Sequence, residues 1–339
     1  MAFNYFNNQS YIGVANSNNT SGVSSLDSTR LNEVVVGGAL FLGATNTSDK
    51  VHTWTVPAGV TLVSVVCIGG GGGGMYYGTS NSGYTYSMGG GGGGGLGWLN
   101  VFPVTPGSTL TIQVGKGGAD HATFSPSTPQ DGGNSYFSST SIVNAEGGDA
   151  GDYNDATISG GSKTVSTAYG TYGGGNGGAP IRTSSQGYGP AGGGGAGGYS
   201  GNGGNGRDDV ASKGDDGVGG GGAGGGASAN STYVDHISGG GGGVAPYGEG
   251  SSGVGQTDGS GQGGSGGGSS LVPAGTSVNG TQRGGEYGGG GGGKSSSYWG
   301  VHAGEGGVGC VRVIWGDNRL FPTTNVGQNY LGFTETTYT

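Results

Sequence analysis

Apolar and polar positions alternate cleanly in only a few places along this chain, and those places cluster toward its ends. Residues Val51-His52-Thr53-Trp54-Thr55-Val56 alternate, Pro57-Ala58-Gly59-Val60 signal a turn, and Leu62-Val63-Ser64-Val65-Val66-Cys67-Ile68 is an apolar run. Thr109-Leu110-Thr111-Ile112-Gln113-Val114 alternates again after Thr105-Pro106-Gly107, and Cys310-Val311-Arg312-Val313-Ile314-Trp315 repeats the pattern near the far end. Such runs, bounded by Gly and Pro, predict β-strands. The simplest arrangement closes the first and last strands into one sheet or sandwich.

Six glycines, 69–74, follow Ile68 without a polar transition, and similar tracts recur as far as 288–293. Composition sharpens the problem. The 94 Gly and 10 Pro of 339 residues fall in the range that ordinarily signals low-complexity disorder. Disorder is usually driven by high charge and few aromatics, yet only 9% of residues are charged and 18 are Tyr. Composition alone favours flexible spacers. Against that, the tracts abut strands, have similar lengths, and give way to a strand again at Cys310. Interruptions within them are small, as at Asn176, Ala196 and Ala223.

A polyproline II backbone turns three residues per left-handed turn and has no internal hydrogen bonds, so every N–H and C=O points outward. Several such rods can bond side by side only where no Cβ holds them apart. The predicted fold is therefore mainly β plus polyglycine II: a small sheet or sandwich core, extended by packed glycine rods, with loops at both ends of the slab and essentially no α-helix. Residues 1–50, rich in Asn and Ser, are read as an attachment or oligomerisation segment, 51–316 as the β core with its glycine slab, and 317–339 as a C-terminal tail.

Chemistry-bearing motifs are sparse. Residues 288–295 match the phosphate-binding pattern GxxxxGK[ST], but the preceding strand and following helix are missing. Residues 203–210 match one unit of a calcium-binding nonapeptide, where several stacked units are needed. His52, His121, His236 and His302 are scattered without metal-ligand spacing, and no nucleophile–base set is evident. No catalytic residue, metal or cofactor is therefore expected. A net charge of -9 with 11 Lys+Arg argues against nucleic acid, no stretch reaches membrane-span length, and the amino end lacks a secretory-signal pattern. Cys67 and Cys310 fit two buried thiols better than a bridge, without excluding one.

The positive signal lies between the tracts. Residues 75–88 combine Tyr76, Tyr77, Tyr84 and Tyr86 with Ser, Thr, Asn and Gly, the residue usage of a recognition loop. Tyr169, Tyr172, Tyr233, Tyr298 and Trp299 recur in or beside the other glycine-poor segments. The same tyrosines would equally cover the rim of a glycine slab.

Three strings carry a family resemblance: Trp54 to Gly74; residues 192–204; and Gly309 to Gly316 followed by Leu320-Phe321-Pro322-Thr323-Thr324-Asn325. On these, residues 50–326 resemble the glycine-rich tail-fibre or adhesin proteins of bacteriophages, marine phages in particular. More distantly the chain is similar to the tail-fibre-tip adhesins of T-even-like phages, whose polyglycine II rods carry receptor-contacting loops. The resemblance implies a non-enzymatic virion protein, made in the host cytoplasm and acting outside it. Its implied partners are other tail or fibre proteins through residues 1–50, and a host surface polysaccharide or outer-membrane protein through the loops. Homo-oligomers are compatible with this reading. Alternatives are a virion structural or assembly protein without receptor contact and, further off, an ice-binding or matrix protein.

Overall fold

The computed structural model describes residues 36–43, 48–78, 89–120, 128–152, 157–181, 190–208, 212–226, 236–257, 283–296, 302–316, 319–323 and 334–339. Its strands are β1 (Gly37–Leu42), β2 (Lys50–Thr55), β3 (Leu62–Ile68), β4 (Tyr76–Gly78), β5 (Leu96–Pro103), β6 (Thr109–Val114), β7 (Ser135–Phe137), β8 (Val143–Ala145), β9 (Lys163–Val165), β10 (Tyr172–Gly175), β11 (Pro180–Ile181), β12 (Gly206–Arg207), β13 (His236–Ile237), β14 (Lys294–Ser296), β15 (Cys310–Trp315) and β16 (Thr334–Tyr338). Among the described residues there is no helix.

The apolar runs build the main sheet, in the order β10-β5-β3-β15-β1-β16. First and last strong strands do meet: β3 and β15 are antiparallel neighbours. Alternation along them sends Val63, Val65 and Cys67, with Val311, Val313 and Trp315, to one face. There they pack on Trp54, Ile112, Val114, Phe137, Val143 and Ala145 from the second sheet, β2-β6-β7-β8-β9. Val66, Ile68, Leu96, Trp98, Cys310 and Ile314 point the other way, onto Ala196, Tyr199, Val244 and Phe321.

The register settles the cysteines. Cys310 lies opposite Ile68 while Cys67 lies opposite Val311, so the thiols sit one residue out of step. They fall in the two different cores, on opposite faces of one sheet. Both are buried and free.

The sequence boundaries at 50 and 316 do not bound the sheet. β1 comes from the segment read as serving attachment or oligomerisation and β16 from the segment read as a C-terminal tail, and they occupy adjacent places in the main sheet. β16 runs parallel to β1, with Tyr338 stacked on Phe41 at 4.6 Å.

The glycine tracts pack by backbone. N–H groups of Gly69, Gly70 and Gly71 donate to Gly95, Gly133 and Gly307, and those of Gly72, Gly73 and Gly74 to Gly92, Gln130 and Gly304. Donors three residues apart thus return to the same neighbouring tract. Carbonyls of Gly70, Gly71 and Gly72 accept from Gly148, Gly118 and Gly291, which gives 69–74 six hydrogen-bonded neighbours. Tract 89–95 is surrounded in the same way by 69–74, 146–152, 157–162, 174–181, 190–198 and 288–293. Glycine is needed because the backbones touch: a Cβ on Gly72 would fall on the Asp149 carbonyl, and one on Gly71 on that of Gly289.

Candidate functional site

Tract direction determines where the glycine-poor segments emerge. Residues 69–74 run outward from β3 and 89–95 run back into β5, with Gly69 bonded to Gly95 and Met75 to Gly89. Residues 115–120 leave β6 and 130–134 return to β7; 146–152 leave β8 and 157–162 return to β9. Residues 176–181 leave β10, and 190–198 return to Tyr199 beneath the main sheet. The alternation continues through 203–208 and 212–217, then 221–226 and 236–243, and ends with 302–309 running into β15.

The described ends of each outward tract and of the inward tract that follows it, such as Met75 and Gly89, therefore lie at the end of the slab farthest from the sandwich. The residues between those tract ends, 79–88, 121–127, 153–156, 182–189, 209–211, 227–235, 258–282 and 297–301, lie outside the described residues. The turns at the sandwich end are short, such as Ser200-Gly201-Asn202 and residues 217–220. At the sandwich end each pair of tracts is tied back to a strand or a buried anchor.

Described groups around this distal end include two small sheets, β13-β14-β4 and β11-β12. His302 Nδ1 lies 3.0 Å from Asp120 Oδ2, joining the last described residue before 121–127 to the first after 297–301. Arg207 pairs with Asp215 at 2.6 Å, and Arg283 with Glu305. Burial pushes the Asp120 carboxyl above the usual carboxylate range, with the attraction of His302 partly offsetting it and Glu305 adding to it. Two residues of the nonapeptide match engage Asp215 outside it: Arg207, and Asn205 Nδ2 at 3.2 Å. Among the described residues, no three His, Cys, Asp or Glu side chains are grouped to hold a metal ion.

Among the described residues, Tyr76, Tyr169 and Tyr172 do not share one surface. Tyr76 enters β4 at the distal end, and its side chain is 2% exposed. Tyr77 pairs with Ser295 in the same small sheet. Tyr169 packs edge-on against Phe102 at 4.8 Å, in the sandwich. Tyr172 is exposed, but on edge strand β10 of the main sheet, away from the distal end. Tyr84, Tyr86, Tyr233, Tyr298 and Trp299 lie outside the described residues.

Two anchoring tyrosines were not singled out for that role. Tyr199 Oη donates to the Ala245 carbonyl at 3.0 Å and accepts from Gly248 N, while Trp98 Nε1 donates to the Tyr199 carbonyl at 2.8 Å. Tyr247 lies under the Arg312 guanidinium, 4.7 Å from ring centre to Cζ. Their signal in the sequence was a tyrosine just after a glycine tract that returns to the sandwich.

A flank groove of about 480 Å³ is lined by Asp49, Gln113, Lys116, Gln130, Asp131 and Asn134. Its side chains are bonded among themselves and to backbone: Asp49 accepts from Lys116 N and Gln113 Nε2, and Lys116 Nζ donates to Gln130.

Among the described residues the fold is all β, two facing sheets joined to glycine tracts that pack by backbone. The chain belongs to the glycine-rich domain family, whose model matches residues 45–316. No curated protein matches it at a significant level.

Proposed function

We propose that this protein is a virion-associated tail-fibre adhesin whose distal loops contact the host surface. The glycine tracts serve as polyglycine II rods, a reading supported by the three-residue period of their hydrogen bonds and their six-fold neighbour shells. Residues 79–88, 182–189, 227–235 and 297–301 bring Tyr, Trp, Ser, Thr and Asn to the recognition surface, a mixture suited to a polysaccharide or an outer-membrane protein.

One observation carries the reading: the molecule is polar from end to end. β1 begins at Gly37 opposite Trp315, the end of β15 away from the slab, so residues 1–35 join the described fold opposite the distal loops. That arrangement suits attachment to the virion at one end and recognition at the other. Loops held by a rigid scaffold are the usual place for binding residues.

The test is competition. Purified protein in excess should block phage adsorption to host cells, and replacing 79–88 by a short glycine turn should abolish the block while the melting transition stays cooperative. Labelled protein that binds no host cell, with virions that still contain it, would replace this reading by a structural role in assembly.

A further inference from the structure

The slab has an inner and an outer layer, and they differ in sequence. Inner tracts such as 69–74, 89–95 and 288–293 are glycine only and fully buried. Outer tracts carry polar residues three apart: Asp131 and Asn134, Glu146, Asp149 and Asp152, Ser159 and Ser162, Asn202 and Asn205. With a three-residue turn, that spacing keeps one side of each tract polar and outward.

These side chains do a specific job. Asn134 Oδ1 accepts from Gly147 N at 3.0 Å, and Asp131 Oδ1 from Ala150 N at 2.7 Å. Asn202 Oδ1 accepts from Asn176 N at 3.0 Å, and Asn205 Oδ1 from Ala179 N at 2.8 Å. Asp149 Oδ2 caps Ser159 N at 2.9 Å. Acceptors three apart on one tract thus meet donors three apart on the next. In the inner layer the equivalent N–H bonds to another tract's carbonyl.

Each capped donor is therefore a place where a further tract could have added. A glycine lattice has no intrinsic limit: any outer face of bare glycine repeats the arrangement found inside, and a second copy of this chain carries the complementary groups. We propose that the Asp/Asn ladder terminates the lattice, occupying the outward donors and blocking close approach so that two copies do not fuse tract to tract. The same ladder leaves association through other surfaces untouched, and it does not depend on the adhesin reading.

Two variants separate acceptor loss from close approach: D131G/N134G/N202G/N205G and the same four positions changed to Ala. Both lose the caps, but only the glycine variant permits backbone contact. Analytical ultracentrifugation across a wide concentration range should show the glycine variant shifting to larger species, while the alanine variant keeps the association state of the unaltered chain. A cooperative melt establishes folding; if the fourfold variant lacks one, N202G/N205G and N202A/N205A are compared on the same criterion. A folded glycine variant that sediments like the unaltered chain would overturn the proposal. So would equal association of both variants, which would trace it to lost polarity alone.

Discussion

Arg312 Nε donates to Glu335 Oε1 at 2.6 Å, with the Arg312 side chain wholly buried and that of Glu335 7% exposed. The cation sits on β15 in the middle of the main sheet, and its counter-charge comes from β16, two strands away across β1. On β1, Arg312 lies opposite Leu40 while Glu335 lies opposite Gly38, so the pair reaches diagonally across the strand past a residue that has no side chain. Arg312 also donates to the Pro246 carbonyl at 3.3 Å and covers Tyr247, so one residue ties the last strand, the sheet and the slab together.

Removing one partner of a buried pair leaves a charge without compensation, a loss of about 3–5 kcal/mol. Glu335→Ala should destabilise by that order in denaturant unfolding, and deletion of 334–339 by at least as much. The paired change R312M/E335L should recover most of the loss, because apolar replacements of similar volume avoid the desolvation cost. A Glu335→Ala midpoint indistinguishable from that of the unaltered chain would show that β16 contributes nothing to the sheet's stability.

Glycine substitutions should divide sharply by position. At Gly72 an added Cβ would collide with the Asp149 carbonyl, a backbone atom that cannot swing aside. Gly72→Ala should therefore prevent cooperative folding or cost more than about 4 kcal/mol, an exceptional loss for a single methyl. At Gly107 nothing lies within 4 Å of the same methyl, and only the φ of 78° opposes it. Gly107→Ala should cost about 1–2 kcal/mol from left-handed backbone strain. Thermal melts of the two variants side by side make the comparison. Similar losses at both sites would mean that the inner tracts are not in backbone contact.

The strands were legible because their apolar residues alternate or run unbroken, and β2, β3, β6 and β15 fall where Trp54, Val65, Ile112 and Val313 predict. β1 and β16 were hidden because Gly37-Gly38 and Thr334-Glu335-Thr336-Thr337 gain their place only from the strand beside them. The three-residue spacing of Asp131 and Asn134, or of Asn202 and Asn205, was present in the sequence and marks the outer tracts. A search for one long repeat passes over it, since the period belongs to single tracts. The candidate site was legible only as a set of segments. That the described tract ends flanking them gather at one end follows from tract direction, which glycine, having no side chain to orient, does not encode locally.

The two cysteines should behave as inert core residues. Burial pushes both thiols up, so little thiolate exists near neutral pH, and the thiolate is the reactive form. Cys67 lies in a core with Val65 and Val143, and Cys310 in the other with Ile314 and Ile68. In native protein neither should react with iodoacetamide over hours, and both should react on unfolding. Mass spectrometry after oxidant treatment should show no loss of two hydrogens. A native intramolecular bridge would contradict the register that puts the thiols on opposite faces.

Asp120 makes the distal end sensitive to acid in an unusual direction. Its folded pKa is raised, chiefly by desolvation, with the attraction and hydrogen bond of His302 too weak to reverse it and Glu305 opposing ionisation further. The folded state then holds the proton more tightly than the unfolded chain does. Stability from this group is accordingly greatest below the unfolded pKa of about 4 and declines as pH rises through the folded value. Asp120→Asn keeps an acceptor for His302 and removes the charge. It should raise stability at neutral pH and flatten the decline that the unaltered chain shows above about pH 4. Melting temperatures of the two proteins between about pH 4 and 7 provide the check. If Asp120→Asn lowers the neutral-pH melting point instead, the His302 contact outweighs desolvation, and the pair is a net clasp between the tracts flanking 121–127 and 297–301.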